Sequence, residues 1–240
     1  MDPNIARLGE WVGAAKRIVF FGGAGVSTES GIPDFRSTGG LYNQQYKYPP
    51  EVIVSHTFYE ERPEEFFAFY RKRMLFPAAQ PNAAHRKLAE WERQGRLAAV
   101  VTQNIDGLHQ AAGSRNVLEL HGSVHRNYCE HCGKAFPLSY ILQSTGVPRC
   151  DACGGPVRPD VVLYEEALDS DILEAAVEDI AAADLLIIGG TSLVVYPAAG
   201  LIRYFQGRHL VLVNKTATAA DSRADLVIHD AIGAVFAQLP

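Results

Sequence analysis

The stretch Gly22–Arg36, reading GGAGVSTESGIPDFR, follows directly on the apolar run Ile18-Val19-Phe20-Phe21. A β-branched and aromatic run ending in glycines is how a parallel strand hands over to a phosphate-cradling loop. Gly23 and Gly25 leave room for backbone N–H groups to approach a pyrophosphate, while Thr28 occupies the place of the usual third glycine. A strand followed by glycines is also the mark of a plain tight turn, so the pair alone does not decide. The continuation favours a ligand. Ser30-Gly31-Ile32-Pro33 ends any helix early, and Asp34-Phe35-Arg36 then sets an acid, an aromatic face and a guanidinium side by side.

A second constellation follows the apolar run Ala98–Thr102: Gln103-Asn104-Ile105-Asp106-Gly107-Leu108-His109. Amides and a carboxylate at a strand's carboxyl end suit a ribose and a carboxamide, although Asn104 or Asp106 would serve equally as a helix N-cap. The next run, Val117–Leu120, ends in His121-Gly122. A lone histidine is commonly structural, but here two strand ends deliver Gln, Asn, Asp and His toward the loop carrying Asp34. The cysteines form a third group, Cys129-x-x-Cys132 and Cys150-x-x-Cys153. In a reducing compartment this spacing suits one tetrahedral Zn²⁺; disulfides or inert buried thiols are the alternatives. A site closed by four thiolates has no open position, so the expected zinc is structural.

These groups need a scaffold. Strand-like runs recur at Ile18–Phe21, Ala98–Thr102, Val117–Leu120, Val161–Tyr164, Leu185–Gly189, Leu210–Val213 and Leu226–Ile228. Helical patterns fill several intervals: Pro63 to Phe76, Pro81-Asn82 to Gly95, Asp169 to Ala182, and Asp230 to Gln238 with Asp230 as its cap. Alternating strand and helix predicts an α/β fold with a Rossmann-like, mostly parallel sheet covered on both faces. Two insertions break the alternation and predict a smaller zinc-containing domain. Residues 1–36, 81–124 and 160–240 are assigned to the sheet domain, 37–80 and 125–159 to the small one, with the ligand cleft between them.

The chain has 240 residues, 48% of them apolar, enough for a substantial core. Its net charge of −5 lacks the basic footprint of a nucleic-acid binder. No apolar stretch is long enough for a membrane span. Polar residues Asp2, Asn4, Arg7 and Glu10 interrupt the first sixteen residues, and Ile5, Leu8, Trp11, Val12 and Ala15 share one helical face. That pattern is an amphipathic helix and not an export signal, and the expected compartment is the cytoplasm.

The motifs together resemble the sirtuins, NAD-dependent protein lysine deacylases. The match is carried by Gly23-Ala24-Gly25-x-Ser27-x-x-Ser30-Gly31-Ile32-Pro33-Asp34-Phe35-Arg36, Thr102-Gln103-Asn104-Ile105-Asp106-x-Leu108-His109, His121-Gly122, the four cysteines, Gly190-Thr191-Ser192-Leu193-x-Val195-x-Pro197 and Asn214. It runs through essentially the whole chain and is similar to a bacterial, catalytic-core member. The resemblance implies NAD⁺ as co-substrate, one structural Zn²⁺ and acyl-lysine proteins or peptides as partners. It places Ala24, Thr28 and Arg36 at the NAD phosphates and adjoining ribose, and Ser27 and Asp34 elsewhere in the cofactor site. Thr191, Ser192, Asn214 and Ile232 would hold the adenosine half. Phe35, Ile105 and Asp106 would form the nicotinamide pocket. Asn104 and Ser27 would position ribose and water, Gln103 would bind the ribose, and His121 would be the general base. The implied reaction is attack of the acyl-lysine carbonyl oxygen on C1′ of the nicotinamide ribose, giving nicotinamide and an O-alkyl imidate. A ribose hydroxyl activated by His121 then attacks the imidate, and the products are free lysine and acyl-ADP-ribose.

The resemblance also lays the peptide as a strand between Val161–Glu165 and Ser192–Tyr196, with Val161, Val162, Tyr164, Glu165, Leu193, Val194 and Val195 as contacts. Where many sirtuins have Phe-Gly-Glu, this chain has Tyr164-Glu165-Glu166. The added carboxylate predicts a preference for basic flanking residues. Sirtuins that prefer succinyl-lysine carry Tyr-x-x-Arg on the small-domain helix; Phe67 and Tyr70 stand there and supply no cation, which predicts deacetylation or removal of longer neutral acyls. Arg73, one turn later, reads as an exposed basic helix end. A mono-ADP-ribosyltransferase or NAD glycohydrolase on the same scaffold, or a non-catalytic dinucleotide sensor, are the competing readings.

Overall fold

A computed structural model describes residues 2–35, 40–41, 44 and 46–240. Six parallel strands form the central sheet: β1 (Ile18–Gly22), β2 (Leu97–Thr102), β3 (Val117–Glu119), β7 (Leu185–Gly189), β8 (His209–Val213) and β9 (Leu226–Ile228). Their order is β3-β2-β1-β7-β8-β9. Side chains on one strand alternate between faces, so Ile18 and Phe20 enter one core while Val19 and Phe21 enter the other. The first core is closed by helices α1 (Pro3–Ala14), α5 (Ala83–Arg93) and α9 (Ile232–Phe236), through Leu8, Leu88, Trp91 and Phe236 among others. The second is closed by α8 (Ser170–Ala182) and a 3-10 segment, Ala198–Tyr204, through Ala176, Ile180 and Leu201. A strand fully buried on both faces reads as a continuous apolar run, which is why these elements were legible.

A second sheet has three antiparallel strands in the order β5-β4-β6: β4 (Gly122–Cys129), β5 (Ala135–Phe136) and β6 (Val157–Val161). Helices α2 (Pro50–Ile53), α3 (His56–Glu61), α4 (Pro63–Arg73) and α7 (Leu138–Gln143) pack with it around a separate apolar core containing Phe58, Phe66, Phe67 and Tyr70. The remaining short helix, α6 (Leu108–Ala111), follows β2.

Two expectations shift here. Val161–Tyr164 is not a strand of the large sheet: the strand is Val157–Val161, and it pairs with β4 in the small sheet. Strands β4 and β6 therefore both run across the proposed limits at residues 124–125 and 159–160. The helix expected to reach Phe76 ends at Arg73.

Candidate functional site

The strand order reverses between β1 and β7, which are neighbours while the sheet continues outward from each. Loops leaving such a switch point diverge and leave a crevice at the carboxyl ends of the strands. A cleft of about 1150 Å³ opens there, between the central sheet and the insertion segments.

The first wall is the loop after β1. It forms a 3-10 helix, Ala24–Ser30, and Gly31 ends it in the left-handed region at φ 83°. Gly25, which lines the cleft, is also required by a loop crossing. A Cβ there would lie 2.7 Å from Gly190 Cα. The Gly25 N–H donates to the Gly190 carbonyl at 2.7 Å. Two residues to which the sequence analysis gave no role in the site hold this loop. Asn82 caps α5 by accepting from the Ala84 N–H, and its amide donates to the Val26 carbonyl (2.7 Å) and the Ser30 hydroxyl (3.0 Å). Glu29 accepts from the Gly233 N–H at 2.7 Å. It thereby supplies α9 with the cap expected of Asp230, whose carboxylate accepts from the Ala231 N–H ahead of the helix.

The cofactor-site residues of the sequence reading line this cleft wherever they are described: Ala24, Ser27, Thr28, Asp34 and Phe35 from the first loop, Gln103, Asn104, Ile105 and Asp106 after β2, and His121 after β3. Arg36 lies outside the described residues. Ser27 and Asn104 are buried, and a short relay joins them to Asp106. The Asn104 amide donates to Ser27 Oγ (3.1 Å), and Ser27 Oγ donates to Asp106 Oδ2 (2.6 Å). The Leu108 N–H donates to Asp106 Oδ1 at 2.9 Å. Burial pushes the Asp106 carboxyl above its usual range, against the lowering effect of the Ser27 and Leu108 bonds.

His121 Nδ1 sits 3.0 Å from the Gln103 carbonyl oxygen. A carbonyl only accepts, so Nδ1 carries the proton and Nε2 is left with the lone pair of a base. Burial holds the imidazole below its ordinary pKa, and the Gln103 bond opposes that shift. The Gln103 side chain turns the other way and donates to Thr191 Oγ1 at 3.0 Å. His121 stands where the chain passes from the large sheet to the small one, and Gly122 makes that passage possible. It adopts φ 75°, and a Cβ there would lie 2.0 Å from the Asp160 carbonyl oxygen.

On the far side, Thr191, Ser192, Asn214 and Ile232 line the cleft after β7, β8 and at α9. Asn214 Oδ1 accepts from the Thr191 N–H (3.0 Å), and its amide donates to the Thr191 carbonyl (2.7 Å). The two loops are thus locked together by one buried side chain.

Of the substrate-side residues, Val161, Val162, Tyr164, Glu165 and Val195 line the cleft. Leu193 and Val194 do not: Leu193 packs against the core beneath α8, and Val194 is 54% exposed beyond the cleft lining. One oxygen of the exposed Glu165 carboxylate is engaged within the protein. Its Oε2 accepts from the Thr57 N–H (2.9 Å) and hydroxyl (2.7 Å). Phe67 and Tyr70 are fully buried in the small core, whereas Arg73 is half-buried beside the cleft, over the Tyr46 ring, and not an exposed helix end.

The four cysteine sulfurs lie within 4.8 Å of one another. Cys129 and Cys153 sulfurs are 3.4 Å apart and those of Cys132 and Cys150 3.7 Å, far beyond a disulfide bond. Sulfurs bound at about 2.3 Å to one zinc sit roughly 3.8 Å apart, so this donor set fits a closed tetrahedral site.

Comparison with known proteins agrees with this arrangement. The sequence profile of the Sir2 family matches residues 23–197. A Clostridium acetobutylicum protein called NAD-dependent protein deacetylase is 63% identical over 235 residues, covering 97% of this chain and 96% of that protein. A Staphylococcus aureus (strain N315) protein with the same name is 47% identical over 232 residues, covering 96% and 95%. Among solved structures, a Sir2 with a p53 peptide and NAD⁺ superposes with a TM-score of 0.85 at 39% identity, covering 98% of this chain and 96% of that one.

Proposed function

Because this chain belongs to the Sir2 family, we propose that it is an NAD-dependent protein deacetylase that removes acetyl groups from lysine side chains. The observation that carries the reading is the convergence of a tautomer-fixed histidine, His121, with the Ser27–Asn104–Asp106 relay on one cleft at the switch point. A sensor that only bound a dinucleotide would need no such base.

NAD⁺ supplies the acyl acceptor, since loss of nicotinamide opens ribose C1′ to the acyl-lysine carbonyl oxygen. The residues of the chain divide the remaining work. Asp106 accepts bonds from the Ser27 hydroxyl and the Leu108 N–H. Its remaining lone pairs suit a carboxamide N–H, and Ile105 and Phe35 supply the apolar walls beside it. Asn104 and Ser27 orient the ribose, and His121 Nε2 takes a proton from a ribose hydroxyl. The Thr191–Asn214 lock shapes the wall for the adenosine half. Cys129, Cys132, Cys150 and Cys153 would hold one Zn²⁺, which organises the small sheet and takes no part in bond changes. The acyl-lysine segment lies extended between the chain at Val161–Tyr164 and the chain at Ser192–Tyr196. No cation stands at Phe67 or Tyr70 to hold a carboxylate-ended acyl chain.

Nicotinamide release tests this directly. It should require an acetyl-lysine peptide, yield O-acetyl-ADP-ribose, and run much slower with the succinyl twin. Equal release without any peptide would instead indicate a glycohydrolase, and ADP-ribose attached to the added protein a transferase.

A further inference from the structure

Among the described residues, only two that are not glycine adopt left-handed backbone, Glu165 (φ 78°) and Leu193 (φ 55°). One lies on each of the two segments between which the acyl peptide is placed. Such residues persist where their surroundings hold them, and they gather at functional sites. At Glu165 the holding contacts are visible. Its Oε2 takes the Thr57 N–H and hydroxyl, and Thr57 lies in the first turn of α3. On either side the chain is bound to the same corner. The Tyr164 N–H donates to the Val54 carbonyl, and the His56 N–H to the Tyr164 carbonyl, each at 3.0 Å. Glu166 accepts from the Leu163 N–H (2.8 Å), contacts the His56 ring (2.8 Å) and pairs with Arg158.

We propose that Glu165 is a positioning residue for peptide binding: its carboxylate ties the left-handed turn after Tyr164 to the start of α3, which holds Val162–Tyr164 in the course an extended acyl-lysine peptide pairs with. The substrate named here rests on the deacetylase reading; the tie between Glu165 and Thr57 does not. This left-handed position thus carries a side chain that ties it to α3. Both bonds fall on Oε2, so that oxygen is engaged by the protein. Because Glu165 is exposed, water competes for these bonds, and the expected effect is severalfold rather than several orders of magnitude.

The test compares Glu165→Ala, Glu165→Gln and Thr57→Val, using acetylated peptides that differ only in having lysine or serine beside the acetyl-lysine. Glu165→Ala and Thr57→Val should each raise the peptide KM about three- to tenfold, with kcat and the KM for NAD⁺ little changed. Thr57→Val keeps its backbone N–H to Glu165, so the double variant should be no worse than Glu165→Ala. Glu165→Gln keeps an oxygen that accepts both bonds and should restore the wild-type KM for both peptides. Unchanged KM in Glu165→Ala and Thr57→Val overturns the proposal. So does a Glu165→Gln enzyme that loses affinity only for the lysine-flanked peptide, since that result marks charge recognition. Amide hydrogen exchange over residues 162–164 gives a readout free of turnover. It should speed up in Glu165→Ala and not in Glu165→Gln. A wild-type protein that turns over no acetyl peptide refutes the deacetylase reading, while unchanged exchange refutes the tie.

Discussion

Asp106 and His121 show how two side chains of one cleft are given different duties by their surroundings. Both are pushed by burial toward their neutral forms, but their partners differ. Asp106 receives a hydroxyl and a backbone N–H, which favour the carboxylate; His121 gives its Nδ1 proton to a carbonyl, which leaves Nε2 basic. Ser27 is the centre of the first arrangement, accepting from Asn104 and donating to Asp106. Removing its hydroxyl leaves a buried amide and a buried carboxylate each short of a partner, a loss of about 1–3 kcal/mol. Ser27→Ala should therefore lower kcat/KM for the acetyl peptide roughly ten- to a hundredfold, with the fold intact by circular dichroism. The residue types at this centre were legible because they stand at the carboxyl ends of β-branched runs. The relay that joins them was not, since the Asn104–Ser27 bond joins positions 77 residues apart.

At the scale of elements, the site depends on the packing of α5 and α6 behind the loops. His85 on α5 and His109 on α6 are fully buried, with ring centroids 4.7 Å apart. His85 Nδ1 accepts the Asn82 N–H, so that ring is neutral, and among the described residues neither nitrogen of His109 has a hydrogen-bond partner. Burial lowers His85 to about 4 and His109 well below the ordinary imidazole value. The unfolded chain binds protons at these rings near pH 6.5, whereas the folded one does not until far lower pH. Stability from this pair is thus complete above about pH 6.5 and is lost as pH falls toward 4, roughly 3 kcal/mol from His85 alone. Urea midpoints should fall markedly between pH 7 and pH 5, and His109→Leu should flatten that slope; equal slopes would contradict this account. Nothing in the sequence marked these histidines as a pair, because α5 and α6 are separated by β2 and meet only once the sheet has formed. The same holds for Glu29, which caps α9 across 204 residues, and for Gly25, whose lack of a side chain serves the crossing with Gly190. Periodicity reveals the strands, while pairings of distant loops stay hidden until the topology brings them together.

At the scale of the molecule, a doubly wound sheet supplies the crevice and the insertion segments supply its second wall. The small sheet is short, with one strand of two residues, and its core lies apart from those of the large sheet. Such a unit leans on its metal site. Chelation of zinc should therefore abolish deacetylation and loosen residues 122–161, while amide protection persists in β1, β2, β7 and β8; uniform loss of protection would show that the two sheets do not separate energetically. The zinc site was readable from cysteine spacing alone, whereas the passage of β4 and β6 across the expected boundaries was not, because His121 belongs to a turn that serves both sheets. That turn brings the base to the cleft, and the account is tested most directly by His121→Ala assayed in parallel for NAD⁺ binding by calorimetry and for acetyl-peptide turnover. NAD⁺ affinity within a fewfold of wild type together with deacetylation reduced at least a hundredfold is the predicted result. Wild-type turnover by that variant would contradict it.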